Sequence, residues 1–297
     1  MSQHEPVWEM AEAFGRDVCE TPIQLQLFVT TRCNRCCPWC IEKYNMAWPF
    51  VPDDERFLQS LSLVFDELNQ KHLGYNVVMT GGEPTENEGL SLKVIEQCAR
   101  KMPAVTDCVR RPKGIKTRQY KVGLNTNGDR DSKLYRCTRF DYIDVDFIDK
   151  MYPADKFSSA RPVRLQTVYR SSVFPNGPAS VVGFVTEALD AGYDSVVFRE
   201  CWGEHGDRCP ILGVEREVAK NRDFQFLEYR SNQYDLWVKY SYRGHDVYFK
   251  RQDLGMQHLY ERANQGKIVS LVVWPDGRVT KSWEHEDVIL RIEEKQE

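Results

Sequence analysis

The feature that most constrains this chain is a repeated alternation of short apolar segments with segments of helical periodicity between residues 20 and 200. Helical spacing predicts a helix after Asp53 and Asp54, a second helix with Leu92, Ile95, Cys98, Ala99 and Met102 on one face, and a third over 180–191. The predicted strands are 23–30, 76–80, 120–124, 141–147, 163–169 and 195–199. Six such units predict a parallel sheet with right-handed crossovers, and they fall short of a closed eight-fold barrel. We therefore expect an α/β fold with a partial (β/α)6 TIM-like barrel.

The pattern changes after about residue 210. Segments 236–242 and 245–250 flank Arg243-Gly244, and segments 268–274 and 278–284 flank Pro275-Asp276-Gly277. Both arrangements predict β-hairpins. The expected organisation is an N-terminal lead-in at 1–22, the barrel at 23–209 and a C-terminal β-containing extension at 210–297.

Composition excludes several classes of protein. Hydrophobic residues make up 41% of the 297 residues, which supports a sizeable core, and the net charge of −4 argues against a generally basic nucleic-acid-binding surface. The sequence has no apolar run of about 18 residues and no signal-like start, so we expect a cytoplasmic protein without membrane spans. In a reducing compartment, the ten cysteines are expected to be ligands, reactive thiols or core residues.

A basic segment lies between residues 100 and 121. Its cationic residues, opposed by Asp107, are Arg100, Lys101, Arg110, Arg111, Lys113, Lys116, Arg118 and Lys121. In such a sheet, ligands bind at the carboxyl ends of the strands, and we call this end the mouth. Because the basic segment leads into a strand, it belongs at the opposite end of the sheet. We interpret it as a solvated insertion and do not expect nucleic acid as a partner.

A group of closely spaced cysteines lies just past the first strand. Cys33, Cys37 and Cys40 have C-x3-C-x2-C spacing, and a loop can turn three thiolates at that spacing onto one iron–sulfur cluster. A [4Fe–4S] cluster with three protein ligands keeps one iron open. Two alternatives remain: a structural zinc site that includes Cys36, and a redox pair formed by Cys37 and Cys40.

A second motif, Gly81-Gly82-Glu83-Pro84, directly follows the second strand. Glycines let backbone carbonyls approach a ligand closely, and Glu83 adds a negative charge that suits an ammonium group. An ordinary Gly-Gly turn is the alternative.

Together these motifs resemble the radical S-adenosylmethionine (SAM) superfamily over residues 23–201. The resemblance implies that Cys33, Cys37 and Cys40 ligate the cluster, and that Trp39 is the aromatic residue near the adenine. It also implies that Gly81, Gly82 and Glu83 bind the SAM amino group.

Shorter and less specific sequence matches to the superfamily lie on or after the later strands. Their pattern resembles the molybdenum-cofactor cyclase and 7-carboxy-7-deazaguanine synthase-like branches. The resemblance implies that Asn125 and Thr126 lie near the SAM ribose and carboxylate, that Asp146 faces the ribose, and that Arg164 pairs with the carboxylate. Cys201, where the sixth strand meets the mouth, is a candidate for returning a hydrogen atom to the substrate or trapping a radical; a structural thiol is the alternative.

The implied chemistry is reductive cleavage of SAM at a [4Fe–4S] cluster to a 5′-deoxyadenosyl radical, which abstracts hydrogen from a substrate. An electron donor such as flavodoxin or ferredoxin would be a partner. No cysteine occurs after Cys209, whereas many peptide-maturing branches of the superfamily bind auxiliary clusters in a cysteine-rich C-terminal extension. We therefore expect a small-molecule or nucleotide- or nucleobase-type substrate. A peptide- or protein-modifying enzyme, such as a maturase or a glycyl-radical activase, is the alternative. From other classes, a zinc-binding regulatory module and a thiol–disulfide oxidoreductase stay open.

Overall fold

A computed structural model of the chain contains fourteen strands and four α-helices within its described residues. The strands are β1 (Ile23–Phe28), β2 (Tyr75–Thr80), β3 (Cys108–Arg111), β4 (Gly114–Thr117), β5 (Lys121–Thr126), β6 (Tyr142–Phe147), β7 (Val163–Val168), β8 (Ser195–Arg199), β9 (Phe224–Ser231), β10 (Asp235–Tyr242), β11 (His245–Gln252), β12 (Ser270–Val273), β13 (Val279–Thr280) and β14 (Val288–Leu290). The α-helices are α1 (Asp54–Gln70), α2 (Glu88–Lys101), α3 (Pro178–Asp190) and α4 (Ile211–Val218). The structure describes residues 23–37, 40, 50–71, 73–103, 108–111, 114–117, 120–158, 161–170, 173–200, 211–231, 235–252, 268, 270–283, 285 and 287–292.

One mixed sheet of twelve strands organises the fold, in the order β14-β13-β12-β1-β2-β5-β6-β7-β8-β11-β10-β9. The six strands predicted from the sequence lie side by side at its centre and pair in parallel. The predicted α/β class is therefore confirmed. Closure of the sheet into a partial barrel stays a prediction, as do the domain boundaries.

The C-terminal strands extend this same sheet at both of its edges. β12 adds in parallel to β1, and β11 adds in parallel to β8. Both predicted hairpins are present, β10 with β11 and β12 with β13. The segment after residue 210 thus continues the sheet that the first two-thirds of the chain begins.

Local signals explain where the helices begin and which sides they bury. Asp53 caps α1, since its carboxylate accepts from the Glu55 and Arg56 amides. The predicted face of α2 was partly wrong: Ile95 and Cys98 are buried, but Ala99 is exposed and Leu92 and Met102 are only partly covered. The reason is that the buried stripe begins at the first turn of the helix, and it consists of Leu90, Ser91, Val94, Ile95, Gln97 and Cys98.

The two faces of the central sheet differ in character. Alternate residues such as Leu25, Val77, Leu124 and Leu165 belong to the main hydrophobic core, which also contains the buried sides of the helices. The intervening residues point away from that core, and we call the surface they form the inner face. On β5 to β8 the inner-face residues are Lys121, Gly123, Asn125, Tyr142, Asp144, Asp146, Arg164, Gln166, Val168, Ser195, Val197 and Arg199.

The basic segment contains a separate two-stranded hairpin of β3 and β4. Its expected role as a solvated insertion stays a prediction. Among the described residues, no helix is both long enough and apolar enough to cross a membrane.

Candidate functional site

The loop after β1 carries the three predicted cluster ligands. Cys33, Cys37 and Cys40 are free thiols of intermediate exposure, and the Cys40 amide donates to the Cys37 carbonyl at 3.1 Å. Burial, followed by the neighbouring Cys40 and Cys33 sulfurs, raises the pKa of Cys37 to about 11. Burial also raises the pKa of Cys33. The three thiols are therefore close enough to interact, and a bound metal would have to displace their protons.

Two glycines allow the loop after β2 to pack closely against this cysteine loop. The Gly82 and Glu83 amides donate to the Thr30 and Arg32 carbonyls, each at 2.7 Å. A Cβ at Gly82 would lie 2.1 Å from the Arg32 carbonyl oxygen, and Gly81 has a φ of 138°, with its Cβ position 2.7 Å from the Thr30 carbonyl oxygen. The close approach expected of these glycines is made here to the backbone of the cysteine loop.

Glu83 joins the ends of β2 and β5. Its side chain is 1% exposed, and Oε1 accepts from the Thr85 amide, the Thr85 hydroxyl and the Thr126 hydroxyl at 2.8–3.1 Å. Oε2 accepts from the Asn127 amide at 2.7 Å. Burial raises the pKa of Glu83, and these hydrogen bonds oppose that rise. Oε2 keeps more acceptor capacity than Oε1.

An ion pair that sequence reasoning missed holds the middle of the cysteine loop. Arg35 binds Asp129 through Nε and through Nη2, the latter at 2.6 Å, and its Nη1 donates to Asp149 at 2.8 Å. We call this pair the Arg35–Asp129 clamp. Hydrogen bonding from Arg35 lowers the pKa of Asp129. Opposite charges on two loops of one mouth were the available signal, since Asp129 directly follows Asn125-Thr126-Asn127-Gly128.

Further hydrogen bonds fix Asp129 itself. Asn34 and Tyr152 donate to its carboxylate at 2.9 and 2.8 Å, and its amide donates to Asn127 Oδ1 at 3.0 Å. Asn127 also donates to Asn34 at 2.8 Å and lies 3.9 Å from Cys33 Sγ. The loops after β1, β2, β5 and β6 therefore meet, as the parallel topology predicts.

Arg164 is engaged elsewhere. It forms a bidentate pair with Asp144 on the neighbouring strand, with Nη2 2.6 Å from Oδ2, and its guanidinium lies 4.3 Å from the Tyr142 ring centre. As the second residue of β7, it sits towards the end of the strand opposite the cysteine loop. Its bidentate grip is on a carboxylate of this chain, and a role towards SAM stays a prediction.

Asp146 is an unusual carboxyl group on the inner face. Burial, with smaller contributions from Asp144 and Glu83, raises its pKa to about 7, and Arg199 and Gln166 act in the opposite direction. Its charge also contributes to the raised pKa of Cys37. Asp146 therefore lies within electrostatic reach of the cysteine loop.

This shift predicts how an Asp146→Asn variant depends on pH. The folded-state pKa lies above the ordinary value of 3.8, so the ionised carboxylate costs stability that grows as the pH rises from about 4 to 7. We expect the variant to be more stable than wild type by as much as about 4 kcal/mol at pH 8, and the difference to vanish near pH 4. Urea unfolding at pH 4, 6 and 8 measures it, with Asp131→Asn, whose side chain is 96% exposed, as the surface control. A difference that does not change with pH would contradict the expectation.

The remaining predicted residues are distributed as follows. Thr126 donates to Glu83 and contacts the Tyr135 hydroxyl at 3.1 Å, whereas Asn125 Oδ1 is buried and has no hydrogen-bond partner among the described residues. Trp39 and Cys201 lie outside the described residues. Within the described part of the chain, no three His, Cys, Asp or Glu side chains are arranged to hold a single metal ion.

Comparisons with known proteins found structural similarity but no matching family. No protein-family model matches the sequence, and no curated protein matches it. A solved structure of a histidine-tagged protein, described as "anSMEcpe with bound AdoMet", is 16% identical, with a TM-score of 0.41 over 61% of this chain. This chain covers 50% of that protein.

Proposed function

We propose that this chain is a radical SAM enzyme. In this proposal Cys33, Cys37 and Cys40 ligate a [4Fe–4S] cluster, and SAM binds beside it. The observation that carries the proposal is the backbone contact between the cysteine loop and the Gly-Gly-Glu segment, through the Gly82 and Glu83 amides. Two motifs far apart in the sequence thereby form one site.

The residues present fit the cluster. Thiolates are the protein ligands that iron–sulfur clusters prefer, and three of them leave one iron free. Cluster ligands bind separate irons, so they need not surround one point as the ligands of a single ion do. The half-buried cysteines lie on a loop fixed by the glycines on one side and by the Arg35–Asp129 clamp on the other.

When bound, the cluster and SAM supply reductive formation of a 5′-deoxyadenosyl radical that takes hydrogen from the substrate. The chain's own residues bind and orient. Glu83 Oε2 has acceptor capacity for the SAM ammonium, and Thr126 holds the Glu83 carboxylate in place. A contact of Asn125 with the SAM ribose and carboxylate remains a prediction. Contacts of Trp39, Asp146 and Arg164 with SAM remain predictions.

We further propose a small-molecule or nucleotide-type substrate and an electron donor such as flavodoxin or ferredoxin. The polar inner face, with Asp144, Asp146, Arg164 and Gln166, supports a polar substrate. Modification of a peptide or protein is the alternative substrate class.

Anaerobic reconstitution tests the proposal. We expect about four irons and four sulfides per chain, and dithionite-dependent formation of 5′-deoxyadenosine from SAM. Ala replacement of Cys33, Cys37 or Cys40 should abolish both. Cys36→Ala is the matched control, because the exposed Cys36 lies in the same loop but outside the motif.

Other outcomes identify the alternatives. One zinc per chain, lost in Cys36→Ala, would replace the proposal with a zinc-binding module. Reversible two-electron titration of Cys37 and Cys40 without iron would indicate a thiol–disulfide oxidoreductase.

A further inference from the structure

The inner face of β6, β7 and β8 bears charged and amide side chains inside the protein. Asp144 and Gln166 are 8% and 5% exposed. Asp146 has the raised pKa of a desolvated carboxyl, yet it keeps some accessible surface. Asp146 is therefore neither fully enclosed by protein nor fully exposed to solvent.

Two of the four charged groups here already satisfy each other, because Asp144 and Arg164 form a bidentate pair. The other two do not. Asp146 and Arg199 attract each other at a distance, but within the described residues neither forms an ion pair. Their strands are separated by β7, and Arg199 lies two residues beyond the position level with Asp146, which places the two backbones about 12 Å apart.

Amide groups with spare hydrogen-bonding capacity accompany this separated pair. Gln166 lies level with Asp146 in the strand register and helps to lower the pKa of that carboxyl, but among the described residues its Nε2 makes no hydrogen bond of acceptable geometry. Asn125 Oδ1, on the strand on the other side of β6 and level with Asp144, is buried and has no hydrogen-bond partner within the described part of the chain. Buried donors and acceptors that are left unpaired cost free energy, so a ligand that pairs them gains affinity.

We propose that these groups bind the head group of an amino-acid substrate, with its ammonium at Asp146 and Asn125 Oδ1 and its carboxylate at Arg199 and Gln166 Nε2. An ammonium offers three donors to acceptors on one side. The guanidinium fork and an amide N–H suit a carboxylate on the other side. A separated acid and base are complementary to a zwitterion, whereas on the described inner-face positions of β6, β7 and β8 a nucleotide's phosphates would find one cation outside the Asp144–Arg164 pair, Arg199.

This inference rests on the proposed function, because it names the substrate class of the same enzyme. It also gives Asp146 and Asn125 roles different from the contacts with SAM that the resemblance predicts for them. The test must therefore separate substrate binding from SAM binding and from SAM cleavage.

The experiment measures ligand binding to the reconstituted protein in saturating SAM by saturation-transfer NMR. The probes are L-alanine, N-acetyl-L-alanine, L-alaninamide and guanosine. We expect L-alanine to bind at least ten-fold more tightly than either blocked derivative and more tightly than guanosine. Gln166→Leu and Arg199→Met should each weaken L-alanine at least ten-fold. The control is Thr167→Val, because buried Thr167 points to the opposite face and its hydroxyl has no partner.

Several results would overturn the inference. These are equal binding of L-alanine and its blocked derivatives, tighter binding of guanosine, or wild-type affinity in Gln166→Leu. An Asp146→Asn variant that binds SAM more weakly but L-alanine as tightly as wild type would instead support the predicted contact between Asp146 and the SAM ribose. If Gln166→Leu fails to fold, Gln166→Glu keeps the size and replaces the donor with an acceptor, and it should still weaken L-alanine. SAM cleavage without L-alanine binding defeats this inference alone, whereas selective L-alanine binding without SAM cleavage defeats the proposed function.

Discussion

Gly82→Ala is expected to lower the stability of the protein by about 3 kcal/mol and to remove most of the iron bound after reconstitution. The added Cβ would lie 2.1 Å from the Arg32 carbonyl oxygen and 2.6 Å from the Arg32 carbonyl carbon. Both atoms belong to the backbone, so no side-chain rotation relieves the overlap. The cysteine loop must move, and its hydrogen bonds with the Gly82 and Glu83 amides must lengthen.

Urea unfolding and iron analysis of the same preparation measure the two effects. Gly183→Ala is the matched control, because Gly183 lies inside α3 and its Cβ position has no atom within 4 Å. That substitution should raise stability by about 0.5–1 kcal/mol and leave the iron content unchanged. A Gly82→Ala variant with wild-type stability and iron content would contradict the proposed contact between the two motifs.

The central sheet was predictable because its signals are local. Short apolar segments between helical segments located all six central strands. The turn residues at Arg243-Gly244 and Pro275-Asp276-Gly277 located both C-terminal hairpins. The attachment of these hairpins was not predictable. Whether β11 pairs with β8 and β12 with β1 depends on which sheet edges are open, and edge pairing leaves no short-range pattern.

The α2 error has a related cause. Periodicity fixes the spacing of a buried stripe, but its angular position depends on the neighbouring element. Gln97 is buried because its amide donates to the Leu58 carbonyl of α1 at 2.9 Å, and a polar residue of this kind is absent from any apolar pattern. Ala99 lies one residue beyond the stripe and is exposed.

The site shows the same division between local and long-range information. Cys33, Cys37, Cys40 and the Gly-Gly-Glu segment were recognisable as motifs, and the parallel topology places them together. Arg35 and Asp129 are 94 residues apart, and neither residue type is informative by itself. Such a pair becomes visible only when the loops are folded against each other.

The second large effect is expected at the Arg35–Asp129 clamp. A double-mutant cycle of Arg35→Met and Asp129→Asn should give a coupling free energy of about 1–2 kcal/mol. The side chains are only 26% and 14% exposed, so solvent screens the pair less than a surface ion pair. The control is a cycle on Lys101 and Asp66, which are 34% and 55% exposed and should couple by less than about 0.5 kcal/mol.

The clamp also has a consequence that a merely stabilising ion pair would lack. It ties Arg35, between two predicted ligands, to Asp129, which Asn34 and Tyr152 hold in place. Each single variant should therefore release iron to a chelator faster than wild type, while the Lys101 and Asp66 variants should not. If the Arg35 and Asp129 variants release iron as slowly as wild type although the cycle gives a measurable coupling free energy, the clamp contributes to stability alone. The position of the cysteine loop would then depend on the glycine contact.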